Sequence, residues 1–240
     1  MNKNFSPYTS LTKHSGTLFN QMTMFQMYEF PKKFYHNNDV LDIGCSIGRG
    51  LGLISKTARS VVGMDINLEA INIAKQNYKD NNKINVFHGD AENLPENIGT
   101  FDTILIFQTI YLIDIEKLIK NIKKILKKNG HLIILSINPD RKDFTPAKYA
   151  VKYHNIEELC ELFLKEGFQN EVYGSIHDDQ IKYRGKINQL IKLIKAIASQ
   201  MKLIPKSYKL KKILKRIFYG PLKEMPDDVN SLTNIKFHLS

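Results

Sequence analysis

The chain has 240 residues, a formal net charge of +11 at pH 7 and 42% hydrophobic residues. This composition excludes collagen-like, low-complexity and wholly disordered proteins, and no run of about 18 apolar residues predicts a membrane span. Two cysteines, Cys45 and Cys160, cannot form a disulfide framework, so a reducing, cytoplasmic compartment is expected. The first residues have no apolar stretch typical of a signal peptide.

The positive charge is concentrated in one segment. Residues 181–220 contain 12 Lys and Arg and no Asp or Glu, whereas residues 1–180 contain 21 basic and 21 acidic residues. This asymmetry indicates two parts with different roles. The alternative is a solvated face that is basic because lysine is abundant throughout the chain.

The first predicted elements precede a glycine-rich turn. Residues 1–15 are polar, and apolar spacing predicts a helix over 17–35 that is broken at Pro31. A short apolar strand is predicted over 40–43. After the glycines, a second helix is predicted over 49–58.

Further along the chain, short apolar runs alternate with helical patterns. Strands are predicted over 60–65, 84–88, 101–107, 132–137 and 168–173, and helices over 67–78, 115–128 and 155–167. Asn67 and Asn155 are predicted N-caps, and Asn129 with Gly130 is a predicted helix end. This alternation predicts a doubly wound, Rossmann-like α/β fold, with a mostly parallel sheet and helices on both faces.

The most specific signal is the turn after the 40–43 strand. Its sequence from Asp42 to Gly48, Asp-Ile-Gly-Cys-Ser-Ile-Gly, leads directly into a helix. Glycines let the backbone approach a ligand closely, and a helix N-terminus offers free N–H groups. The dinucleotide pattern Gly-x-Gly-x-x-Gly fails at Ser46 and Arg49, and no Gly-Lys-Ser/Thr of a P-loop follows.

The turn instead matches acidic-x-Gly-x-Gly-x-Gly, with Ser46 in place of the middle glycine. Asp65 ends the next strand, Asp90 with Ala91 follows the 84–88 strand, and Phe-Asp opens the 101–107 strand. Over roughly residues 38–174 the chain resembles a class I S-adenosylmethionine-dependent methyltransferase of the small-molecule type. The resemblance implies S-adenosyl-L-methionine as the cofactor and a seven-stranded sheet.

The resemblance also implies roles for the residues at the strand ends. Four of them surround the methionine moiety, one begins the loop beneath the sulfonium, and the others contact the ribose and adenine. Each aspartate alone would be an ordinary turn or cap residue, but their order after three successive strands favours the cofactor interpretation. The implied cofactor-binding residues are Asp42, Gly44, Cys45, Gly48, Asp65, Ile66, Asp90, Ala91 and Phe107.

The acceptor side has weaker signals. Small-molecule members of the family often carry a histidine in the loop after the fourth strand, where this chain has Leu112. Tyr111 and His154 are the candidate catalytic residues, and Tyr8 and Tyr153 are candidate substrate contacts. The structural alternatives are a helix-entry residue for Tyr111 and an exposed residue before a cap for His154. No Cys/His cluster has metal-ligand spacing, so no metal is expected.

These patterns divide the chain into four expected parts. Residues 1–36 form an N-terminal helical lid segment, and residues 37–178 form the S-adenosylmethionine-binding core. Residues 179–222 form a basic helical insertion. Residues 223–240 return to the core, with a candidate last strand over 234–239.

The expected function is methyl transfer to an oxygen or nitrogen of a small anionic acceptor. Phosphorylated metabolites, nucleotide-sugars and glycan precursors are the acceptor types that a few cations would recognise. Two alternatives stay open. One is a methyltransferase that uses the basic helices on RNA or at an anionic membrane surface, and the other is a cofactor-binding relative without transfer activity.

Overall fold

The computed structural model describes residues 15–16, 18–140, 144, 146–147, 149–173 and 223–224. The helices are α1 (Leu18–Glu29), α2 (Lys32–Tyr35), α3 (Leu51–Ser55), α4 (Leu68–Asn77), α5 (Ile115–Ile125) and α6 (Ile156–Lys165). The strands are β1 (Ser15–Gly16), β2 (Asp39–Ile43), β3 (Ser60–Asp65), β4 (Ile84–His88), β5 (Phe101–Phe107), β6 (Leu126–Leu135) and β7 (Lys223–Glu224). The predicted basic insertion at 179–222 and the candidate strand at 234–239 lie outside the described residues.

Five strands form one parallel sheet in the order β4-β3-β2-β5-β6. From β2 the chain moves outward through β3 to β4, and then returns to the other side of β2 to form β5 and β6. The carboxyl ends of β2 and β5 are therefore neighbours, with Ile43 opposite Ile106. The winding direction reverses at this point, which is where open α/β sheets bind ligands.

Both faces of the sheet are buried because successive strand residues point into two different apolar cores. Val40 and Leu105 belong to the core that also contains residues of α1 to α4. Leu41 and Ile106 belong to the core that contains residues of α5 and α6. The Rossmann-like α/β prediction, with helices on both faces of the sheet, is confirmed.

The predicted caps position two helices. Asn67 begins α4 by accepting from the N–H groups of Glu69 at 3.0 Å and Ala70 at 3.2 Å. Asn155 and Glu158 form a reciprocal capping box at the start of α6. These contacts join residues that are close in sequence, which is why the sequence pattern predicted them.

Two predicted helices are too long. The helix expected over 115–128 ends at Ile125, because Leu126 pairs with Phe101 and begins β6. The register then shifts before His131 pairs with Thr103. The helix expected over 49–58 is limited to α3 (Leu51–Ser55). The first correction has a tertiary cause, since pairing with β5 overrides the helical pattern of the sequence.

The prediction of a strand over 168–173 is wrong. These residues form no regular secondary structure; Phe168 packs edge-on against Phe163 with ring centroids 5.4 Å apart. Lys223–Glu224 pairs antiparallel with β1 and not with the large sheet. In the part of the chain that the structure describes, the main sheet therefore has five strands and not the seven expected.

Candidate active site

The glycine loop, residues 44–50, lies between β2 and α3 at the carboxyl edge of the sheet. Gly44 and Gly48 have φ values of +83° and +82°, in the left-handed region that glycine adopts without strain. A Cβ atom on Gly44 would lie 2.3 Å from Thr109 Oγ1, and one on Gly48 would lie 2.9 Å from Tyr78 Cε2. Both glycines are therefore required by backbone conformation and by close packing.

Ser46 occupies the position of the missing middle glycine, and its φ is 52°. Its N–H donates to Asp65 Oδ2 at 2.8 Å. This bond joins the glycine loop to the end of β3 and offsets part of the cost of a left-handed backbone in a residue that has a side chain. The serine thus has the left-handed conformation for which glycine is favoured.

Asp42 is a buried carboxylate at the start of the glycine loop. Its side chain is 2% exposed, and no hydrogen bond from the described residues reaches its Oδ2. Burial and then the nearby charge of Asp65 raise the pKa of Asp42 to about 7. An unsatisfied buried carboxylate is costly, and a ligand that brings donors or positive charge relieves that cost. The ammonium and sulfonium of S-adenosylmethionine are groups of this kind.

Asp65 and Ile66 lie at the end of β3. Asp65 Oδ1 accepts from the Asn67 N–H and Oδ2 from the Ser46 N–H, both at 2.8 Å. Burial raises the pKa of Asp65, although these backbone hydrogen bonds oppose the rise. A carboxylate has about four acceptor positions, so capacity remains for a ribose hydroxyl. Ile66 is 49% exposed and leaves apolar surface uncovered next to Asp65, and His88 Nε2 lies 3.0 Å from the Ile66 carbonyl oxygen.

Asp90 and Ala91 form a turn after β4. Asp90 Oδ1 accepts from the Glu92 N–H and Oδ2 from Asn93 Nδ2, both at 2.9 Å. The Ala91 carbonyl accepts from Asn121 Nδ2 of α5 at 3.0 Å. Asp90 therefore has the turn-forming role that the sequence offered as an alternative, and the lone pairs that remain on its carboxylate are those available to an adenine amine.

The loop after β5 contains backbone strain. Gln108, which follows Phe107, has a φ of 55°, a left-handed value that is uncommon for a residue with a long side chain. Its N–H donates to the Leu135 carbonyl at 2.8 Å, and Thr109 Oγ1 donates to the Phe107 carbonyl at 3.0 Å. Strain that the surrounding structure holds in this way is typical of functional sites.

Tyr28 of α1 is a site residue that the sequence analysis missed. Its ring packs so closely on Gly50 that a Cβ atom there would lie 2.1 Å from its Cε1 and Cζ atoms. The ring also packs on Phe107, with centroids 5.3 Å apart. Burial and then the charge of Asp42 raise the pKa of the Tyr28 hydroxyl. The helical spacing predicted α1, but no local pattern marks which of its residues reaches the glycine loop.

Tyr111 and Tyr153, two of the predicted acceptor-side residues, form a stacked pair. Their ring centroids are 4.6 Å apart and their planes differ by 18°. The Tyr111 carbonyl accepts from the N–H groups of Val151 at 2.8 Å and Lys152 at 3.3 Å. Phe144 meets the Tyr153 ring edge-on at 4.8 Å. These contacts join the loop after β5 to the segment that precedes α6.

His154 is 8% exposed, so the interpretation of this residue as solvent-exposed is wrong. Its Nδ1 lies 3.4 Å from Glu158 Oε2, without hydrogen-bond geometry. Burial and then the charge of Lys152 lower the pKa of His154, while Glu158 opposes this shift. The imidazole is therefore neutral at pH 7 and able to accept a proton. Tyr8 lies outside the described residues.

Cys45 has no sign of reactivity. It is 5% exposed, and burial followed by the charges of Asp42 and Asp65 raises the pKa of its thiol, so the thiolate needed for nucleophilic chemistry is disfavoured. Among the described residues, no three His, Cys, Asp or Glu side chains are close enough to hold a metal ion. In the same part of the chain, no helix is both long and apolar enough to cross a membrane.

Comparison with known proteins connects this site to a family. Residues 41–134 match the family model of a methyltransferase domain. The chain is 29% identical over 140 residues to a probable S-adenosylmethionine-dependent methyltransferase of Mycolicibacterium smegmatis. The aligned region covers 55% of this chain and 52% of that protein. It is 34% identical over 119 residues to the ubiquinone biosynthesis O-methyltransferase of Pelagibacter ubique, which covers 49% of each chain. The chain thus spans about half the length of these curated relatives.

A solved structure shares the fold. A methyltransferase from Aquifex aeolicus described as dependent on S-adenosylmethionine aligns with a TM-score of 0.54 and 21% identity, covering 62% of this chain and 83% of that chain. Sheet, glycine loop and family match agree: residues 41–134 are similar to a methyltransferase domain, and the solved structure shows the same fold. These similarities imply S-adenosyl-L-methionine as the cofactor, and the orphaned Asp42 oxygen and the left-handed glycines fit it.

Proposed function

We propose that this chain transfers a methyl group from S-adenosylmethionine to an oxygen or nitrogen of a small anionic acceptor, such as a phosphorylated metabolite, a nucleotide-sugar or a glycan precursor. The main support is the pair of buried carboxylates, Asp42 and Asp65, at neighbouring strand ends beside the glycine loop. When bound, the cofactor supplies a methyl group on a sulfonium, whose thioether leaves readily. The work that remains for the protein is binding and alignment.

The residues at the cofactor side bind S-adenosylmethionine and orient it. Asp42 and Asp65 bring negative charge towards a ligand that carries two positive groups and a ribose. Gly44 and Gly48 remove side chains where backbone and ligand must approach each other. Ile66 contributes its exposed apolar surface to the adenine. These roles require no movement of the strands, because all five residues lie at strand ends or in the short loops that follow them.

The acceptor side follows from the loop after β5 and the segment before α6. The Tyr111–Tyr153 stack is one wall of the acceptor site, since it lies in the loops at the carboxyl edge of the sheet. His154 is the base that takes a proton from a hydroxyl acceptor, because burial keeps its imidazole neutral. An amine acceptor that arrives unprotonated needs no such base.

The preference for an anionic acceptor rests on the basic segment 181–220, which has 12 Lys and Arg and no acid. Recognition of a phosphate or carboxylate needs only a few such cations. The same segment also suits RNA or an anionic membrane surface, so the acceptor assay includes an RNA and a separate binding test includes anionic vesicles.

Formation of S-adenosylhomocysteine by the purified chain tests the proposal. The panel contains phosphorylated metabolites, nucleotide-sugars and lipid-linked glycan precursors, each beside its dephosphorylated analogue, together with an RNA. We expect product with at least one anionic small acceptor and much less with its neutral analogue. Product formed with RNA and with no small molecule of the panel would contradict the proposed small anionic acceptor. Tight binding of S-adenosylhomocysteine without turnover on any acceptor would favour the non-catalytic alternative.

Charge reversal separates the uses of the basic segment. The test variant changes three cations of the segment to glutamate, and the control reverses three exposed lysines of the core. The test residues, which lie outside the described part of the chain, are Lys209, Lys212 and Lys215; the control residues are Lys56, Lys79 and Lys120. If the acceptor is small, neither variant changes S-adenosylhomocysteine affinity, and the unmodified chain ignores RNA and anionic vesicles at low salt. Tight RNA binding that weakens steeply with salt and is lost only in the test variant would contradict the small acceptor.

A further inference from the structure

The carboxyl end of α4 packs along the glycine loop. Tyr78, which follows α4 directly, is 8% exposed. Its hydroxyl donates to the Gly48 carbonyl at 2.7 Å and accepts from the Gly52 N–H at 3.2 Å. Asn77 Nδ2 donates to the Ile47 carbonyl at 3.4 Å. One helix end therefore holds the second half of the glycine loop and the first turn of α3.

The other end of α4 contacts the first half of the same loop. The N–H of Asn67, the N-cap of α4, donates to Asp65 Oδ1, and the Ser46 N–H donates to Asp65 Oδ2. Asp65 thus links the start of α4 to Ser46, while Tyr78 links its end to Gly48. The glycine loop is held at two points by a single helix.

The Tyr78 hydroxyl acts on the part of the loop with the least intrinsic preference for one conformation. Gly48 has a φ of +82°, and glycine populates left-handed and right-handed regions about equally. Because the C=O and the following N–H of a trans peptide point in opposite directions, the bond to the Gly48 carbonyl also sets the direction of the Arg49 N–H. Without this bond, the loop would sample conformations that do not match the cofactor.

We propose that Tyr78 is a positioning residue for S-adenosylmethionine, because its hydroxyl holds the Gly48 peptide and the start of α3 in the cofactor-binding conformation. The proposal rests on the cofactor assignment of the proposed function. A tyrosine that served packing alone would contribute to stability, but its hydroxyl would not change cofactor affinity. Affinity for the cofactor is therefore the measurement that distinguishes the two roles.

The decisive variant is Tyr78→Phe, which keeps the ring on Gly48 and removes both hydroxyl bonds. Its matched control is Thr103→Val at the opposite end of the sheet. Thr103 is also buried, and its hydroxyl donates to the Phe34 carbonyl at 2.7 Å and accepts from Asn38 Nδ2 at 3.1 Å. Each variant therefore loses one buried hydroxyl with two hydrogen bonds. Only the first loss touches the glycine loop.

Isothermal titration measures the affinity of each variant for S-adenosylhomocysteine, and melting curves measure its stability. We expect both variants to melt at lower temperature than the wild type, whereas only Tyr78→Phe binds S-adenosylhomocysteine more weakly, by roughly five- to ten-fold. Wild-type affinity in folded Tyr78→Phe would overturn the proposal. A wild type that does not bind S-adenosylhomocysteine would overturn the cofactor assignment itself.

A second variant keeps the proposal testable if Tyr78→Phe does not fold. Asn77 is exposed, so Asn77→Ala removes the bond to the Ile47 carbonyl without opening a cavity. We expect roughly a two-fold loss of S-adenosylhomocysteine affinity, because this hydrogen bond is long and solvent-accessible. An unchanged affinity in Asn77→Ala would count against positioning of the loop by the end of α4.

Discussion

The acidic residues at the two ends of the parallel sheet have opposite electrostatic environments. At the amino end, the carboxylates of Asp39 and Asp102 share two cations: Arg59 Nη2 lies 2.8 Å from Asp102 Oδ2, and Lys127 Nζ lies 3.0 Å from Oδ2 of each aspartate. The hydrogen bond from Arg59 is the main cause that lowers the pKa of Asp39. The pKa of Asp102 is also lowered, although burial opposes the shift.

At the carboxyl end, the same strand β2 carries Asp42, whose pKa burial and the charge of Asp65 raise to about 7. Two aspartates on one strand therefore shift in opposite directions. Charge at the amino end is neutralised by the protein's own cations and contributes to stability. Charge at the carboxyl end is left for a ligand to neutralise, at a cost in stability. Three substitutions of aspartates test this contrast, and a fourth substitution tests backbone strain at the carboxyl end.

The largest effect is expected for Asp42→Asn. The folded pKa of about 7 exceeds the ordinary value of 3.8, so the folded state binds the proton more tightly, and the carboxyl lowers the free energy of unfolding as pH rises from about 4 to 7. Denaturant titration without cofactor should find the variant more stable than the wild type by about 2–4 kcal/mol at pH 8. At pH 4 the difference should be close to zero, and a difference independent of pH would contradict this account.

Asp65→Asn should weaken cofactor binding most directly. A charged acceptor for a ribose hydroxyl contributes about 1.5–3 kcal/mol, so we expect affinity for S-adenosylhomocysteine to fall by roughly 10- to 100-fold. Isothermal titration measures this loss. The control is Asp102→Asn at the amino end, which should bind with wild-type affinity. Equal losses in the two variants would remove the distinction between the two ends.

Gln108→Gly tests whether backbone strain is stored beside the site. Glycine adopts a φ of 55° without strain, so the free energy of unfolding should rise by about 0.5–1 kcal/mol. The measurement is a higher melting temperature. Asn129→Gly is the control, because Asn129 also has a positive φ, 63°, but asparagine tolerates it, and the gain should be smaller. Lower stability of Gln108→Gly would show that contacts of its side chain outweigh the strain.

The smallest effect is expected for Asp39→Asn at the amino end. Because the folded pKa of Asp39 lies below its ordinary value, its stabilisation is present above about pH 4 and is lost as the pH falls through the acid range. At neutral pH the variant should lose less than about 1 kcal/mol, since the ion pairs are partly solvent-exposed. The loss should shrink in about 1 M salt, and S-adenosylhomocysteine affinity should stay at the wild-type value.

The sequence by itself determined the features that depend on near neighbours. Apolar runs predicted the five strands of the main sheet, and side-chain caps such as Asn67 predicted helix starts, because a cap bonds to residues two and three positions away. The glycine pattern with Asp65 and Asp90 predicted the cofactor class. A run of short motifs at successive strand ends is specific even though each motif alone is weak.

Only the tertiary structure decided which distant groups meet. Leu126 continues a helical pattern in the sequence, yet it pairs with Phe101 because a strand of the sheet is available beside it. Tyr28 in α1 and Tyr78 directly after α4 both contact the glycine loop, and these contacts depend on how the two helices pack on the sheet. The opposite pKa shifts of Asp39 and Asp42 also depend on the tertiary structure. Burial and charge partners are properties of the packed structure, and they cannot be predicted from the residue type alone.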